Sequence, residues 1–414
     1  MPAGFMALAL LAQPAFADGE RFSLTSAMIA DGDARWETYT PASQDLMSSL
    51  NGLGAEAFVK GHEMLGLANG SKTDRLLYLS TAGLAYMAFT RANSIIIGHE
   101  MAHWQTAHAF GRDQHEFRNH GDRKPVSFGK AYLRALLTGH AKASASSWSS
   151  DPGHELTETE RSWANNAGVN WQTAYAERHL RENLMRGYTT VPGAMDYMIN
   201  KGYFFFYAAR DLSKDDNKPG DFNDFSRHLK ERHGVDNAKE TIAAVSLVSL
   251  LASPSFHSAT KSFSSYVATG ALHQREATYR IGEGLSYSWD IPNYANADSY
   301  TVAPTLYAVL EGDRAAGLHA KRAVIGVAFE KDILGDTVNE VTLSADLDFG
   351  VTDVSLDMTF GSGGHYADLR LSREVSKRLG LEFGLADSSG DTMRGKRTFP
   401  TDGTHAWAGI SLRF

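Results

Sequence analysis

The spacing of hydrophobic and polar positions changes near residue 275. Before that point, apolar residues recur every three or four positions in eight segments with few interior breakers, which is the period of helices with one buried face. After it, apolar and polar residues alternate along about eight short segments bounded by glycine-rich turns, as in antiparallel strands. The pattern predicts an α+β chain with a helical domain over residues 18–274 and an antiparallel β domain, a barrel or a sandwich, over residues 275–414.

Residues 341–349 alternate most clearly, with Val, Leu, Ala, Leu and Phe on one face and Thr, Ser, Asp and Asp on the other. The predicted helices cover residues 55–67, 75–110, 127–144, 158–187, 191–211, 222–234, 238–251 and 258–271. The predicted strands cover residues 279–289, 301–310, 315–330, 340–349, 352–360, 366–373, 379–386 and 405–414.

Residues 1–17 form an apolar run that is typical of a secretory signal peptide. The run ends in an A-x-A cleavage pattern at Ala17, and polar residues follow at once. It carries no Lys or Arg, which departs from the usual pattern, so an N-terminal anchor is the alternative. We expect cleavage after Ala17 and export of the protein.

Charge and cysteine content narrow the chemistry. The 414 residues include 40 Lys and Arg against 48 Asp and Glu, a formal net charge of −8, with no basic block. A nucleic-acid-binding role is disfavoured, because binding phosphates needs a concentrated basic surface. The chain has no cysteine, which excludes thiol catalysis, disulfides and Cys-type zinc sites. Any metal must therefore be held by His, Asp or Glu.

Residues 95–104 read IIIGHEMAHW and place an H-E-x-x-H motif in an apolar helix. Residues four apart lie on one face of a helix, so His99 and His103 can direct both imidazoles at one Zn²⁺. Glu100 can then act as the general base that activates the attacking water. Burying these three side chains without a metal or partners would be costly. A surface helix with two exposed histidines is the alternative.

This motif resembles that of the zincin metallopeptidases. The resemblance implies hydrolysis of a peptide bond at a single zinc ion, with a third protein ligand from elsewhere in the chain. In gluzincin peptidases that ligand is a glutamate on a second downstream helix, and Glu177 in the predicted helix 158–187 fits this arrangement. The metzincin and thermolysin-like continuations are absent, and Arg181 stands where gluzincins usually have Asp.

The same predicted helix carries a polar stripe at intervals of three or four residues, in which Asn166 and Asn170 precede Glu177. We expect the two asparagines to contact substrate or to orient the metal ligands. Tyr175 is a candidate hydrogen-bond donor to a developing oxyanion, and His179 is a reserve ligand. An exposed carboxylate in a helical ion pair is the equally weighted alternative for Glu177.

The strands after residue 275, the aromatic residue at the end of the chain and the signal peptide together resemble bacterial outer-membrane β-barrels. The resemblance implies strands with one lipid-facing side between aromatic girdles, in a protein of the periplasm or outer membrane of a Gram-negative bacterium. A soluble sandwich or small barrel fits the same alternation. The residues expected to supply the girdles are Trp289, Tyr300, Tyr307, Tyr366, Trp407 and Phe414.

Two apolar runs, residues 76–97 and 241–254, raise the question of membrane-spanning helices. The first is interrupted by Arg91 and Asn93, and the second is shorter than the roughly twenty residues that a bilayer core requires. We expect both runs to be buried in a helical bundle. An intramembrane protease is therefore disfavoured.

Three functions fit these patterns. The first is an exported zinc metallopeptidase that acts on a polypeptide or another cell-envelope substrate. The second is a non-catalytic structural or binding protein of the cell envelope, in which the strands form the functional unit. The third is a zinc amidase or lipid hydrolase that acts on envelope components.

Overall fold

A computed structural model describes most of the chain beyond its N-terminal segment. The described residues are 22–24, 40–119, 124–138, 143–151, 155–212, 220–336, 339–361, 363–376, 379–390, 392–398 and 402–412. The predicted signal peptide, residues 1–17, lies outside the described residues.

The first part of the chain is helical, as the spacing of apolar residues predicts. Two π-helical turns, Leu79–Gly83 and Arg91–Gly98, join three successive helices into one continuous segment. The helices are α1 (Thr40–Met64), α2 (Lys72–Tyr78), α3 (Leu84–Thr90), α4 (His99–Ala109), α5 (Phe128–Thr138), α6 (Glu158–Arg186), α7 (Val191–Asp211), α8 (Asp221–His233), α9 (Ala238–Ala252) and α10 (Pro254–Thr269).

Helix α6 is the central element, with 29 residues. The Thr157 hydroxyl accepts from the backbone N–H of Glu160, whose carboxylate accepts from the backbone N–H of Thr157, so a capping box begins the helix. Gly187 ends it with φ of 80°, a left-handed conformation that glycine adopts without steric cost. One side of α6 packs on α4 and α7, and another faces the large sheet. It therefore connects the two parts of the molecule.

Short strands interrupt the helical part. Strands β2 (Gln114–Asn119), β3 (Pro125–Val126) and β4 (Ala143–Trp148) form one small sheet, and β5 (Tyr188–Thr190) pairs with β6 (His273–Arg275). The predicted helix 127–144 ends earlier than expected, at Thr138. Residues 143–148, ASASSW, contain three serines, which favour helices weakly, and they pair with β2 instead.

One antiparallel sheet of twelve strands makes up the second part of the molecule. Along its main path the order is β1-β17-β16-β15-β14-β13-β12-β11-β8-β7, with β9 and β10 joined through β12. Within the described residues, β1 and β7 are the ends of this path and do not pair with each other. The strands are β1 (Phe22–Leu24), β7 (Tyr279–Gly282), β8 (Leu285–Asp290), β9 (Asn293–Ala295), β10 (Ser299–Val302), β11 (Thr305–Glu311), β12 (Arg322–Gly335), β13 (Asn339–Asp348), β14 (Thr352–Gly361), β15 (Gly364–Glu374), β16 (Leu379–Gly390) and β17 (Gly403–Leu412).

The prediction of about eight strands is therefore too low. The predicted strand 279–289 divides at the turn containing Gly284, whose φ of 62° lets the chain reverse between β7 and β8. The short strands β9 and β10 have too few residues for alternation to reveal them. Strand β1, from the segment predicted to belong to the helical domain, pairs with β17.

The two sides of the large sheet have opposite polarity. Two short helices accompany the sheet, α11 (Asp313–Ala316) and α12 (Met393–Thr398). The inner side of the sheet faces α6 and α12. In β13, Thr342 and Ser344 are buried on the inner side, whereas Val341 and Leu343 are exposed on the outer side. The exposed outer residues include Leu306, Ile325, Phe329, Ile333, Val341, Leu343, Phe360, Leu369, Leu371, Phe383, Leu385 and Ile410.

The predicted aromatic girdle is wrong for Tyr300, Tyr307, Tyr366 and Trp407. All four are at most 5% exposed. Tyr300 packs in the cluster beneath α9, and the strand register directs the other three toward the inner side. Trp289 is half-buried, and Phe414 lies outside the described residues.

The apolar runs 76–97 and 241–254 are helical, but they are not wholly buried. Large side chains on both runs are exposed, including Leu77, Leu84 and Val248. No single helix in the described part of the chain is long and apolar enough to cross a membrane; α9 and α10 pass that test only together, with a bend of 62° between them. The expectation that both runs are buried in a helical bundle therefore holds for only one side of each helix, and the other side is exposed.

Candidate metal centre

The H-E-x-x-H motif begins α4, directly after the π-helical turn Arg91–Gly98. His99 and His103 lie one turn apart on the same face, with ring centroids 4.7 Å apart. A Cβ at Gly98 would lie 2.5 Å from the indole of Trp171 on α6, so only glycine allows the two helices to approach this closely. The motif is thereby pressed against α6.

Asp221 is the acidic residue that joins the histidine pair. It is the first residue of α8, and its Oδ2 lies 3.0 Å from His99 Nε2 and 3.5 Å from His103 Nε2. The three ligand atoms lie within 4.8 Å of one another, and no other trio of His, Asp or Glu in the described part of the chain is grouped this way. Two imidazoles and a carboxylate are a donor set that zinc accepts.

Hydrogen bonds fix the orientation of both imidazoles. His103 Nδ1 lies 2.6 Å from the backbone carbonyl of Ala164, and His99 Nδ1 lies 3.4 Å from the side-chain oxygen of Gln172. If each Nδ1 carries the proton and donates it, each Nε2 presents a lone pair toward Asp221. The Tyr207 hydroxyl donates to Asp221 Oδ2 over 3.3 Å and so holds the carboxylate in place.

Gly168 makes room for His99. A Cβ at this position on α6 would lie 2.5 Å from the His99 ring, closer than real carbon contacts allow. Gly168 lies one turn before Gln172, so α6 supplies both the space for this ring and the acceptor for its Nδ1. The packing of α6 on α4 therefore determines where the His99 ring lies.

The electrostatics of the cluster are dominated by Asp221. Burial lowers the pKa of His103, but the Asp221 carboxylate outweighs this and raises that pKa to about 9. Burial raises the pKa of Asp221, but His103 and His99 outweigh this and hold it far below its usual range. Without a metal, the cluster therefore carries a partly buried carboxylate and an imidazolium that stabilise each other.

Glu100 and Tyr203 border the cluster. The Glu100 carboxylate is close enough to contribute to the raised pKa of His103, and the ring of Tyr203 lies 5.8 Å from that of His99. The Asp221 side chain is 28% exposed, against 6% for His99, so solvent reaches the cluster beside the carboxylate. The arrangement brings a potential base, a carboxylate ligand and an opening together at one place.

The structure does not bring Glu177 to the histidine pair. Its carboxylate accepts from the Tyr294 hydroxyl over 2.8 Å and pairs with Arg394 at 3.3 Å, in the space between α6 and the sheet. The predicted alternative, an exposed ion pair on the helix surface, does not describe it either, because Glu177 is buried. Both interpretations assumed one polar side of α6, whereas this helix is covered on two sides.

The remaining predicted residues lie elsewhere on α6. Asn166 donates to the carbonyl of Asn296 over 2.7 Å, and Asn170 exchanges two hydrogen bonds with the backbone of Ala295. The two asparagines therefore hold the segment around β9 rather than surround the histidines. The polar stripe on α6 is real, but it faces the sheet.

Tyr175 and His179 belong to a third group, centred on Asp196 of α7. The Asp196 Oδ2 atom lies 3.1 Å from the Tyr175 hydroxyl and 2.8 Å from His179 Nε2. Asn51 of α1 donates to the same oxygen over 3.0 Å. This buried network joins three helices, and it is not part of the cluster formed by His99, His103 and Asp221.

Sequence reasoning missed Asp221, Gln172 and Gly168. Asp221 lies 122 residues after His99, in a segment that the sequence marks only as punctuation between helices. The one local signal is its place after Pro219-Gly220, directly before the predicted helix 222–234, where an acidic residue is common for reasons unrelated to metals.

Comparison with known proteins gives no family assignment. No family model matches the chain, and no curated protein matches it. Solved structures with partial similarity include a triple mutant of the Rhodopseudomonas blastica porin, at 14% identity and a TM-score of 0.19, and an anion-selective porin from Comamonas acidovorans, at 19% and 0.22. Outer membrane phospholipase A from Escherichia coli matches at 10% and 0.19.

These matches cover 33%, 33% and 36% of this chain, and 53%, 47% and 81% of the respective structures. The chain thus spans about half the length of the two porins. TM-scores of this size do not establish a shared fold.

Proposed function

We propose that this chain is a metal-dependent hydrolase of the cell envelope, with His99, His103 and Asp221 as the metal ligands. The observation that carries the proposal is the convergence of three ligand atoms within 4.8 Å, with an acceptor beside the Nδ1 of each histidine. Zinc is the first candidate, because neutral imidazoles and a carboxylate suit it. A zinc ion bound there would supply Lewis-acid activation of water and of the scissile carbonyl.

Residues around the metal ligands would supply the other catalytic and positioning roles. Glu100, next to His99 at the border of the cluster, would accept the proton of the attacking water. Tyr207 would keep the Asp221 carboxylate oriented through its hydrogen bond. The acceptors for both Nδ1 atoms would hold the imidazoles in the tautomer that ligates through Nε2. A metallopeptidase, an amidase and a lipid esterase would all use this arrangement.

The first test is metal content, measured by elemental analysis on the purified full chain. We expect one metal per chain in the wild type, loss of the metal in Asp221→Ala, and retention in Asp224→Ala. Asp224 is the matched control, because it lies in the same first turn of α8 but pairs with Arg227. Glu177→Gln should also keep the metal, since an amide still accepts from Tyr294.

Two results would contradict this assignment. A metal retained in Asp221→Ala would move the third ligand elsewhere, and a wild-type chain that binds neither zinc nor iron(II) on reconstitution would end the metal proposal. The same analysis decides the metal's identity, because two histidines and one carboxylate also bind non-haem iron(II).

Hydrolysis is tested separately with Glu100→Gln. This variant should keep the metal and lose cleavage, because glutamine cannot accept the proton. A peptide library, peptidoglycan and a phospholipid ester are the probes that distinguish peptidase, amidase and lipid hydrolase. Unchanged cleavage in Glu100→Gln would remove the general-base role.

The second candidate is a non-catalytic structural or binding protein of the envelope. One observation favours it: the large sheet exposes apolar side chains on its outer side and buries polar ones on its inner side. Strands of 10 to 14 residues from β12 to β17 are long enough for a bilayer. We propose that this sheet lies in the outer membrane. Retention of lipid binding together with absence of both metal and hydrolysis would select this candidate.

A further inference from the structure

Helix α9 is apolar on its exposed side as well as on its buried side. The buried side packs Ile242 and Leu250 into the core. It also carries two serines: the Ser246 hydroxyl lies 3.0 Å from the Tyr300 hydroxyl, and Ser249 donates to the carbonyl of Ile291. Its outward side carries Leu247, Val248 and Leu251, of which Val248 is 62% exposed. A helix on the surface of a water-soluble domain typically has polar residues on its outward side.

The position of α9 coincides with an irregular part of the sheet. Ile291 lies between β8 and β9, where the regular ladder of β8 ends. Its carbonyl accepts from Ser249 and also from Lys201 Nζ over 3.2 Å. At the end of α9, the carbonyl of Ala252 accepts from Trp289 Nε1 over 2.9 Å. The backbone carbonyls of Ile291 and Ala252 are thus hydrogen-bonded within the protein, as an apolar solvent requires.

The apolar outer side of the sheet continues onto α9. The strand register places a row of directly opposed outer residues across β14, β13, β12, β11 and β8. Trp289, at the β8 end of this row, donates a hydrogen bond to the last residue of α9. Beside it, the ring centroids of Tyr279 and Trp289 lie 5.1 Å apart in a stacked pair. The row consists of Met358, Leu343, Val327, Leu306 and Trp289.

We propose that α9 is a lipid-contacting helix that covers this join in the sheet, with Leu247, Val248 and Leu251 against the acyl chains. The inference rests on the proposed location of the sheet in the outer membrane and extends it from strands to a helix. With 15 residues, α9 is about 22 Å long. This is shorter than a hydrocarbon core of about 30 Å, so α9 lies beside the strands and does not span the bilayer alone.

Helix α10 marks where the lipid contact stops. It departs from α9 at 62°, and its exposed residues include His257, Thr260 and Lys261, which are polar. A lipid-facing surface that ended at the bend would need this change, because a lysine within the hydrocarbon region is costly. Lys261 therefore provides a matched position on the adjoining helix for an experiment.

The chain has no cysteine, so a single introduced cysteine is the only site that a thiol-reactive spin label modifies. Val248→Cys on α9, Lys261→Cys on α10 and Leu369→Cys on the outer side of β15 would each be labelled in the full chain. The probes are oxygen, which partitions into lipid, and a water-soluble nickel chelate, in vesicles of phosphatidylethanolamine and phosphatidylglycerol. We expect Val248→Cys and Leu369→Cys to be several-fold less accessible to nickel than Lys261→Cys.

The two proposals fail differently. Nickel access at Val248→Cys equal to that at Lys261→Cys, with Leu369→Cys protected, would overturn the role of α9 and leave the sheet in lipid. Nickel access at both Val248→Cys and Leu369→Cys would overturn the membrane location itself. Spin–spin broadening at Val248→Cys that disappears on dilution with unlabelled protein would assign this face to a second copy of the chain and overturn lipid contact.

Discussion

The helical part and the large sheet sort their side chains in opposite ways. Around α6, apolar residues such as Leu180 and Leu184 are fully buried, and ionisable residues form small separate groups, such as the candidate metal centre and the network around Asp196. In the sheet, Asp346 and Asp357 point inward, where both pair with Arg181, and leucines and phenylalanines point outward. The same chain therefore has one apolar interior and one polar interior.

This difference shows that partners, rather than the alternation itself, decide which side of a strand is buried. Alternation in β13 shows that its two sides differ in polarity. Helix α6 determines which side is buried, because it brings Arg181 against the acidic side. A buried carboxylate is tolerated only when it is paired and hydrogen-bonded. The middle of the outer side carries apolar side chains instead of such ion pairs, which is why we propose lipid as its environment.

The largest effect is expected from removing the cation of the polar interior. Arg181 Nε lies 2.7 Å from Asp346 Oδ2, and Nη1 lies 2.9 Å from Asp357 Oδ1. Arg181→Met leaves these carboxylates without that cation and should cost about 3 to 5 kcal/mol in the free energy of unfolding. Denaturant unfolding of the purified protein measures it.

The matched control for this prediction is Arg186→Met, on the same helix. Arg186 is half-exposed and pairs with Glu182 at 3.5 Å. Because exposed ion pairs contribute little, this change should stay within about 1 kcal/mol. Equal effects of the two substitutions would show that the inner side of the sheet is hydrated, and the contrast between the two interiors would disappear.

The elements that could be predicted from the sequence are those with a continuous hydrophobic period. The helices that became α6, α7, α8 and α9 lie within two residues of their predicted bounds, because each has a continuous apolar period. The first strands of the sheet were not separable, since β9 and β10 have only three and four residues. Which side of the sheet is buried was not predictable, because it depends on α6 and α12.

The candidate site was predictable only where its residues are close in sequence. His99 and His103 are one helical turn apart, so their spacing carries the geometry. Asp221 reaches them through the packing of α8, which no local pattern records. Glu177 illustrates the opposite error: its polar stripe is correct, but the stripe faces β9 and its neighbours rather than α4.

The second prediction tests whether lipid or water contacts the outer side of the large sheet. Leu369→Arg, at the middle of β15, should reduce the free energy of unfolding in lipid vesicles by roughly 2 to 4 kcal/mol, because a cation would enter the hydrocarbon region. His365→Arg, at the end of the same strand and on the same side, should change it by at most about 1 kcal/mol. Equal small effects in vesicles would mean that water covers the sheet.

The third prediction concerns the pH dependence of the metal-stripped protein. The pKa of His103 is raised from 6.5 to about 9, so its pairing with Asp221 stabilises the fold fully below pH 6.5 and is lost as pH rises through about 9. The loss should be about 3 kcal/mol, since one pKa unit corresponds to about 1.4 kcal/mol. Denaturant unfolding across this range measures it.

In His103→Ala, this decline between pH 6.5 and 9 should vanish, and Asp224→Ala should retain it. Zinc-loaded protein should behave in the opposite sense, because neutral imidazole binds the metal and rising pH strengthens binding. A decline that persists in His103→Ala would assign the titration to other groups and leave the cluster without this coupling.

The smallest effect tests how closely the helical part is packed around the candidate metal centre. Gly168→Ala places a methyl group 2.5 Å from the His99 ring, so the ring or α6 must move. We expect a loss of about 1 to 3 kcal/mol in the free energy of unfolding, although alanine favours helices, and zinc affinity about 10 to 100 times weaker. Gly129→Ala in α5 is the control, because nothing lies within 4 Å of its new methyl group and stability should rise slightly. Isothermal titration with zinc and denaturant unfolding of both variants measure the pair; zinc affinity that is unchanged in Gly168→Ala would mean that the position of His99 does not determine metal binding.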